Sequence, residues 1–314
     1  MKSKMFLKIF AALIVAGGIF AFNFFPNTEN AGEKNNPPQS QPEKVLPTVT
    51  QNSAQAAEAF YSGTEGAIQS ILNDGSEYAV YLNYPGKTAE PFIYNARQMR
   101  SASMIKVFIL ATVMEFVKDG NLSLDQNITL HDYDKVGGAG VLAGYASGPI
   151  SLRTVLKLMI TESDNTATNM VIDLVGMQTI NDYIREKGYN DTILQRKMMD
   201  MDAIYAGREN YTSARDLGEI FLKIYNRRCV SPECDDVMLN FLLEQHDTEC
   251  FNTALPGLQI AHKTGALAGT FDDGGIIYGG PHGDVILVLM AENYTGEKTV
   301  IDRMKKFAYY SVYR

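Results

Sequence analysis

The strongest constraint on the fold is a continuous apolar run near the C-terminus, Val285-Ile286-Leu287-Val288-Leu289-Met290. A strand with one face in water alternates apolar and polar residues, whereas a strand that is apolar throughout is buried on both faces. Residues 284–292 are therefore predicted to form a strand with packed layers above and below it. Two further candidate strands, 258–264 and 274–278, precede it and are separated by glycine turns. The fold must cover both faces of a sheet.

The rest of the chain supplies elements for both layers. Two N-terminal segments, 77–84 and 91–95, are predicted to form a strand hairpin around Pro85-Gly86-Lys87. Together these elements predict an α/β (α+β) fold with a five-stranded antiparallel sheet. The N- and C-terminal helices would cover one face and an all-helical subdomain the other. Helical spacing predicts helices at 57–72, 104–119, 151–163, 165–175, 178–187, 217–225 and 298–313, with a glycine-rich loop at 136–148 and a long non-periodic segment at 189–211.

The N-terminus is typical of an exported protein. Three lysines at positions 2, 4 and 8 precede an apolar run over 9–25. The run is as long as a short membrane span of about 17 residues, so a cleaved signal peptide and an uncleaved membrane anchor both remain open. Residues 26–55 are rich in Pro, Asn, Gln, Glu and Thr and predict a disordered linker. The folded domain is expected at 56–314, outside the cytoplasm, either secreted or tethered to the outer face of the membrane.

Composition excludes several classes of partner. The 314 residues are 46% hydrophobic and 20% charged, which is ordinary for a globular domain, and the net charge of −8 disfavours nucleic acid. Three cysteines are too few for a disulfide framework, and Cys229 and Cys234 either close a small loop or remain free thiols. The four histidines show no metal-binding spacing, so we expect no metal and no cofactor. A monomer is the default expectation.

Three short motifs carry the chemistry. Ser103 and Lys106 form an S-x-x-K pair, which places both side chains on one face of a helix. This pair alone is expected about once by chance in a chain of this size. Ser163-Asp164-Asn165 follows 60 residues later, and Lys263-Thr264-Gly265 follows after another 100. Each triplet is expected by chance in only about one of twenty such chains, so the ordered set is a strong signal.

In this order, the three motifs resemble those of the class A-like serine β-lactamases, within the superfamily that also contains the penicillin-binding proteins. The resemblance covers about residues 56–314. It implies a β-lactamase/transpeptidase-like fold and acylation of Ser103. Lys106 would be the base that removes the serine proton, provided that burial and the nearby Lys263 cation lower its pKa. Ser163 would pass a proton to the departing amide nitrogen.

The same resemblance implies how substrate is held. Asn165 would bind both Lys106 and the side amide of the substrate. Lys263 and Thr264 would bind the substrate carboxylate, and Gly265 would be a further substrate-binding residue. The oxyanion would be held by the backbone N–H groups of Ser103 and Ala266, the first of which lies at a helix N-terminus.

Each motif also has a purely structural interpretation. Ser103 and the Ser163-Asp164-Asn165 triplet are good helix caps, and Lys263-Thr264-Gly265 is compatible with a simple strand end. Asp273 is interpreted as structural. A Ser-His-Asp triad that uses His262 is conceivable, but no serine lies in a G-x-S-x-G elbow.

The chain departs from the family in its Ω-loop. Class A enzymes use a glutamate there to activate the water that releases the acyl group. The loop maps onto residues 194–211, with Arg196 aligned to the family's loop arginine. The glutamate position falls at 197–199, where no carboxylate stands. Asp200 and Asp202 are the candidate substitute bases. Phe271 stands near the position where many members place a substrate-binding arginine.

Three functional hypotheses follow. The first is an exported serine hydrolase that is acylated at Ser103 by β-lactams and hydrolyses their amide. The second is a D,D-peptidase or penicillin-binding-like acyltransferase that acts on peptidoglycan stem peptides. The third is a module that binds β-lactams without turnover. In all three the partner is a small molecule or a peptide, and the N-terminal segment contacts the membrane if it is retained.

Overall fold

The computed structural model describes residues 60–314. The predicted signal or anchor at 1–25 and the predicted linker at 26–55 lie outside this range, as do the first residues of the predicted first helix. Among the described residues, no helix has the length and apolar character needed to cross a membrane.

A five-stranded antiparallel sheet forms the centre of the domain, as predicted. Its spatial order is β2-β1-β9-β8-β7, so the C-terminal strand β9 lies in the middle. Two pairs of short strands lie outside this sheet: β3 pairs with β6, and β4 pairs with β5. The strands are β1 Glu77–Asn83, β2 Phe92–Tyr94, β3 Met99–Arg100, β4 Asn127–Leu130, β5 Gly148–Ser151, β6 Tyr211–Thr212, β7 Gln259–Leu267, β8 Thr270–Gly280 and β9 Gly283–Glu292.

The apolar run in β9 is buried on both faces, which confirms the prediction made from its composition. Alternate residues enter two separate cores: Ile286 and Val288 pack in one, and Leu287 and Leu289 in the other. Every residue from 285 to 291 is fully buried. Because side chains alternate across a strand, one continuous apolar segment thus joins two hydrophobic layers.

Helices cover both faces of the sheet. The first and last helices, α1 and α10, pack on one face with the short α9, and the helices of the central block pack on the other. The predicted layer arrangement is therefore confirmed. The helices are α1 Thr64–Ile71, α2 Ile105–Lys118, α3 Leu152–Thr161, α4 Asn165–Val175, α5 Met177–Glu186, α6 Met201–Tyr205, α7 Ala214–Tyr225, α8 Pro232–Leu243, α9 Phe251–Ala254 and α10 Glu297–Tyr313.

Helix α8 was not predicted, although its start signal is present in the sequence. The Ser231 side chain accepts a hydrogen bond from the Cys234 backbone N–H, and Pro232 occupies the first helical position. Cys234 therefore lies in the first turn of a helix and not at the end of a small closed loop. Cys229, Cys234 and Cys250 are all buried free thiols.

Candidate active site

Ser103 lies in a tight turn at the start of the buried helix α2. The turn is a 3₁₀ segment, Ala102–Met104, which leads directly into α2. Ala102 has a φ of +42°, a left-handed conformation that is costly for a residue with a side chain. Ser103 itself is partly exposed, whereas Met104 and the first three turns of α2 are buried. The strained turn thus presents one hydroxyl to solvent above a rigid apolar helix.

Lys106 is fully buried and brings the first two motifs together. Its Nζ lies 2.9 Å from Ser103 Oγ, 3.1 Å from Ser163 Oγ, 2.6 Å from the Ser163 carbonyl oxygen and 3.0 Å from Asn165 Oδ1. An ammonium group has three hydrogens and no acceptor, so it cannot donate to all four oxygens at once. The neutral amine instead has a lone pair to which the Ser103 hydroxyl can donate. This geometry suits a base that removes the serine proton.

The Ser163-Asp164-Asn165 triplet serves both as a helix cap and as part of the site. The Asp164 side chain caps α4 by accepting from the Ala167 N–H at 2.8 Å. Ser163, in the break before α4, adopts a left-handed φ of +53°. The cap interpretation is therefore correct for Asp164, and it leaves the side chains of Ser163 and Asn165 free to meet Lys106.

Strand β7 brings the third motif against the other two. Lys263 is fully buried, and its Nζ donates to Ser163 Oγ at 3.1 Å and to the Thr264 carbonyl oxygen at 2.6 Å. Gly265 lies against the nucleophile turn: a Cβ there would be 3.1 Å from the Ser103 backbone nitrogen. Ala266 follows as an exposed residue. The strand thus reaches Ser103 by close backbone approach, and the role of the Ala266 N–H in the oxyanion hole stays a prediction.

Two buried lysine side chains face one hydroxyl, and burial lowers the pKa of each. Both amine nitrogens lie 3.1 Å from Ser163 Oγ. Burial, together with the nearby charge of Lys263, lowers the pKa of Lys106 well below its usual range. Burial also lowers the pKa of Lys263, to about 8, although Asp247 and Asp273 oppose the shift. The site therefore shifts Lys106 towards its neutral form, beside a Lys263 that still carries charge at neutral pH.

A glycine-rich segment closes one side of the site. Asn165 donates from Nδ2 to the Gly137 carbonyl oxygen at 3.0 Å and from its backbone N–H to the Ala139 carbonyl oxygen at 3.0 Å. Asp164 accepts from the backbone N–H groups of Val141 and Leu142 at 2.6 and 2.7 Å. The loop predicted at 136–148 is thus bound to the Ser163-Asp164-Asn165 motif over several residues.

The Ω-loop is a closed, well-bonded segment. Arg196 forms an ion pair with Glu209 at 2.6 Å, and Asn210 Oδ1 accepts from the Arg196 backbone N–H at 3.0 Å. Asn169, one helical turn beyond Asn165, binds the Met198 backbone on both sides, accepting from its N–H at 2.8 Å and donating to its carbonyl oxygen at 3.0 Å. Sequence reasoning missed Asn169, although its spacing of four from Asn165 places both residues on one helix face.

No carboxylate of the Ω-loop is bonded to the reactive groups. The Asp200 side chain caps α6 by accepting from the Ala203 N–H at 2.9 Å, and Asp202 is exposed on that helix. Among residues 60–314, no hydrogen bond joins either aspartate to Ser103, Lys106 or Ser163. Their role as substitute bases stays a prediction.

The region behind β7 has a structural role. His262 is fully buried, and its Nδ1 lies 2.8 Å from Asp273 Oδ1. Asp273 Oδ2 also accepts from the Phe251 N–H, so the structural interpretation of Asp273 fits its contacts. Phe271 is buried in the core that contains α10, and the Arg100 guanidinium binds the carbonyl oxygens of the β7–β8 turn. Within residues 60–314, no cluster of three His, Cys, Asp or Glu side chains is placed to hold a metal.

Comparison with known families identifies the family to which the chain belongs. The sequence model of the β-lactamase enzyme family matches residues 64–309. The chain belongs to the β-lactamase enzyme family. The family predicted from the three motifs is thereby confirmed, and the protein is a serine hydrolase of the β-lactamase and penicillin-binding type. No curated protein sequence matches the chain.

Solved structures of a β-lactamase and of PBP-A share the fold. A β-lactamase from Sphaerobacter thermophilus is 29% identical, with a TM-score of 0.72 over 79% of this chain and 95% of its own. PBP-A is 26% identical, with a TM-score of 0.71 over 79% of this chain and 93% of its own. The L158E variant of PBP-A, also 26% identical with a TM-score of 0.71, covers 79% of this chain and 95% of its own and was solved as an acyl-enzyme complex with penicillin G.

The two lysine pKa shifts predict a bell-shaped pH profile for acylation. The rate constant should rise with pH as Lys106 loses its proton, because only the neutral amine accepts the serine proton. It should fall above about pH 8 as Lys263 loses the charge that, by the resemblance, would bind the substrate carboxylate. Stopped-flow measurement of the acylation rate constant with a penicillin across pH 5–10 records both the rising and the falling part of this profile. A rate that kept rising to about pH 10, where ordinary lysines titrate, would contradict this assignment.

Proposed function

We propose that the protein forms a long-lived acyl-enzyme at Ser103, with peptides that end in D-alanine as substrates and β-lactams as their mimics. One observation carries the proposal. The acylation network of Ser103, Lys106 and Ser163 is complete, whereas the Ω-loop segment 197–202 contributes no carboxylate to it. A site of this kind can be acylated readily and deacylated slowly.

The geometry supports a definite order of proton transfers. Lys106 Nζ takes the Ser103 proton as Oγ attacks the amide carbon, and the carbonyl oxygen becomes an oxyanion beside the Ser103 N–H. Ser163, which contacts both lysines, gives its proton to the amide nitrogen as the C–N bond breaks. Lys106 then returns the serine's proton to Ser163. The product is an ester on Ser103 and a free amine.

The comparisons support acylation more directly than they support turnover. PBP-A, 26% identical, has been captured with penicillin G bound covalently in its L158E variant. Lys263, which keeps a proton below about pH 8, supplies the charge that a substrate carboxylate requires. The basic, then apolar N-terminal sequence favours a site on the outer side of the membrane, where peptidoglycan lies.

Steady hydrolysis of β-lactams is the second candidate. The 29% identical structure is described as a β-lactamase, which favours it. It requires a water-activating base, and Asp200 or Asp202 would have to approach that water within about 3 Å. Asp200 is already engaged as the cap of α6.

A paired experiment separates the candidates. The purified domain is mixed with a chromogenic cephalosporin, and intact mass is recorded over the same period. We expect a burst of about one equivalent and a persistent one-to-one adduct, with release of D-alanine from a stem peptide. Continuous hydrolysis with little adduct would instead establish a β-lactamase. Absence of both adduct and peptide cleavage would refute acylation.

A further inference from the structure

A second groove lies outside the active site, between α4 and the segment that begins with β4. Its volume is about 410 Å³, which is within the range of pockets that bind small ligands. Met170 and Leu174 line it from one face of α4, because residues four apart on a helix are neighbours. Ile128 of β4 adds a third apolar side chain. One part of the lining is therefore apolar.

An aromatic ring stands at the edge of this groove. Tyr133 lines the groove and is 81% exposed. Its ring is stacked on the ring of His131, with centroids 4.7 Å apart and planes inclined by 14°. Both residues belong to one short turn, in which Asp134 Oδ2 accepts from the His131 backbone N–H at 2.7 Å. The turn and the stacked imidazole thus support an aromatic ring that is largely open to solvent.

The charges around the groove limit the kind of ligand. Asp134 and Asp173 supply carboxylates, the second of them paired with Lys197 of the Ω-loop. Among residues 60–314, those that line the groove include no lysine and no arginine, the side chains that bind phosphates and carboxylates. The lining therefore disfavours anionic ligands.

The same lining is suited to sugars. The face of an aromatic ring carries partial negative charge, so it attracts the C–H groups on the flat side of a sugar ring. Carboxylates accept hydrogen bonds from the hydroxyl and amide groups at the edge of an N-acetylated sugar. An exposed tyrosine beside an apolar strip and two carboxylates offers both kinds of contact to an uncharged sugar chain.

The position of the groove relates it to the active site. Asn165, at the start of α4, hydrogen-bonds Lys106, which contacts Ser103. Met170 and Leu174 lie five and nine residues further along α4, which is about 8 and 14 Å at 1.5 Å per residue. In peptidoglycan about four residues separate the bond before the terminal D-alanine from the sugar, and they span about 14 Å when extended. A stem peptide bound at Ser103 can thus place its sugar at the groove.

We propose that this groove binds the glycan strand of peptidoglycan, with Tyr133 stacked on one sugar ring. This inference rests on the proposed function, because it takes the stem peptide as the substrate of Ser103. The glycan carries no charge where its lactyl carboxylates are joined to peptides, which fits the acidic lining. Polymeric substrate is then held by its sugars as well as by its peptide, whereas a β-lactam contacts the active site alone.

Binding of tetra-N-acetylchitotetraose, an uncharged chain of N-acetylglucosamine, tests the groove. Its dissociation constant is measured by titration calorimetry for the full-length wild type, Tyr133→Ala and Tyr205→Ala. Tyr205 is the matched control, because it is also 81% exposed but lies on α6. The chain has no tryptophan, so Tyr133→Trp and Tyr205→Trp each add a single fluorescent reporter.

We expect Tyr133→Ala to weaken binding about tenfold, the upper end for one lost aromatic contact, and Tyr205→Ala to leave it unchanged. The sugar should shift the emission of Tyr133→Trp to shorter wavelength and leave that of Tyr205→Trp unaltered. No binding by the wild type, or equal binding by both alanine variants, overturns the proposal. Dimerisation of the wild type that Tyr133→Ala abolishes, without sugar binding, overturns it in favour of a second copy of the chain.

Benzylpenicillin distinguishes failure of the groove from failure of the proposed function. All variants should be acylated at the wild-type rate, because a β-lactam does not reach the groove. Acylation without sugar binding overturns the groove alone. Sugar binding without acylation refutes the proposed function and leaves the groove as a glycan-binding site.

Discussion

Replacing Lys106 with methionine should reduce the rate of Ser103 acylation about a thousandfold, the middle of the range for a lost general base. The Lys106 amine contacts Ser103 Oγ at 2.9 Å and, within residues 60–314, is the only amine hydrogen-bonded to that hydroxyl. Burial lowers its pKa, which raises the fraction of the neutral form that accepts a proton. Methionine has a similar length, keeps the buried space filled and has no basic nitrogen. The rate is measured by intact mass with benzylpenicillin in large excess.

Lys118→Met is the matched control for this change. Lys118 lies at the end of the same helix, with 37% of its side chain exposed and an ion pair to Glu115. Surface ion pairs of this kind contribute little to the free energy of unfolding, and Lys118 is not part of the site. The control should therefore acylate at the wild-type rate. Circular dichroism and thermal unfolding verify that both variants fold. An acylation rate of Lys106→Met within about tenfold of the wild type would exclude Lys106 as the base.

Replacing Gly265 with valine should reduce acylation about a hundredfold, the typical cost of displacing reacting groups by about 1 Å. A Cβ at 265 would lie 3.0 Å from Ala102 Cβ, 3.1 Å from the Ser103 nitrogen and 3.2 Å from Met104 Cγ. These contacts are already tight, and the two methyl groups of valine add further volume. Strand β7 and the nucleophile turn must then separate, which moves Lys263 and the Ala266 N–H away from Ser103.

Gly144→Val provides the control for added volume alone. Nothing lies within 4 Å of a Cβ built at Gly144. This variant should keep wild-type acylation, whereas Gly265→Val should lose it while retaining a cooperative unfolding transition. Equal rates in the two variants would show that β7 does not need to approach Ser103 closely.

Much of the fold is predictable from local patterns. The apolar run at 285–290 demands a strand with two covered faces, and β9 enters two cores. Capping residues and glycine stops locate most helices to within a few residues. Helix α8 was missed because Cys229 and Cys234 were considered as the ends of a loop, while Ser231-Pro232 was not considered as a helix start.

The site is only partly predictable, because its remaining contacts are non-local. Motif spacing identifies Ser103, Lys106 and Lys263, but it cannot show that Ser163 Oγ contacts both lysines. The Arg196–Glu209 pair and the close approach of Met199 to Gly138 depend on how distant loops meet. A pattern over a few residues carries no information about such contacts.

The central claim is that Ser103 is the nucleophile, and peptide mapping tests it most directly. The wild type and Ser103→Ala are incubated with benzylpenicillin, quenched in acid, digested and analysed by mass spectrometry. We predict one adduct per wild-type molecule, confined to the peptide that contains Ser103, and no adduct in Ser103→Ala. An adduct on a different peptide, or one that persists in Ser103→Ala, would contradict the assignment.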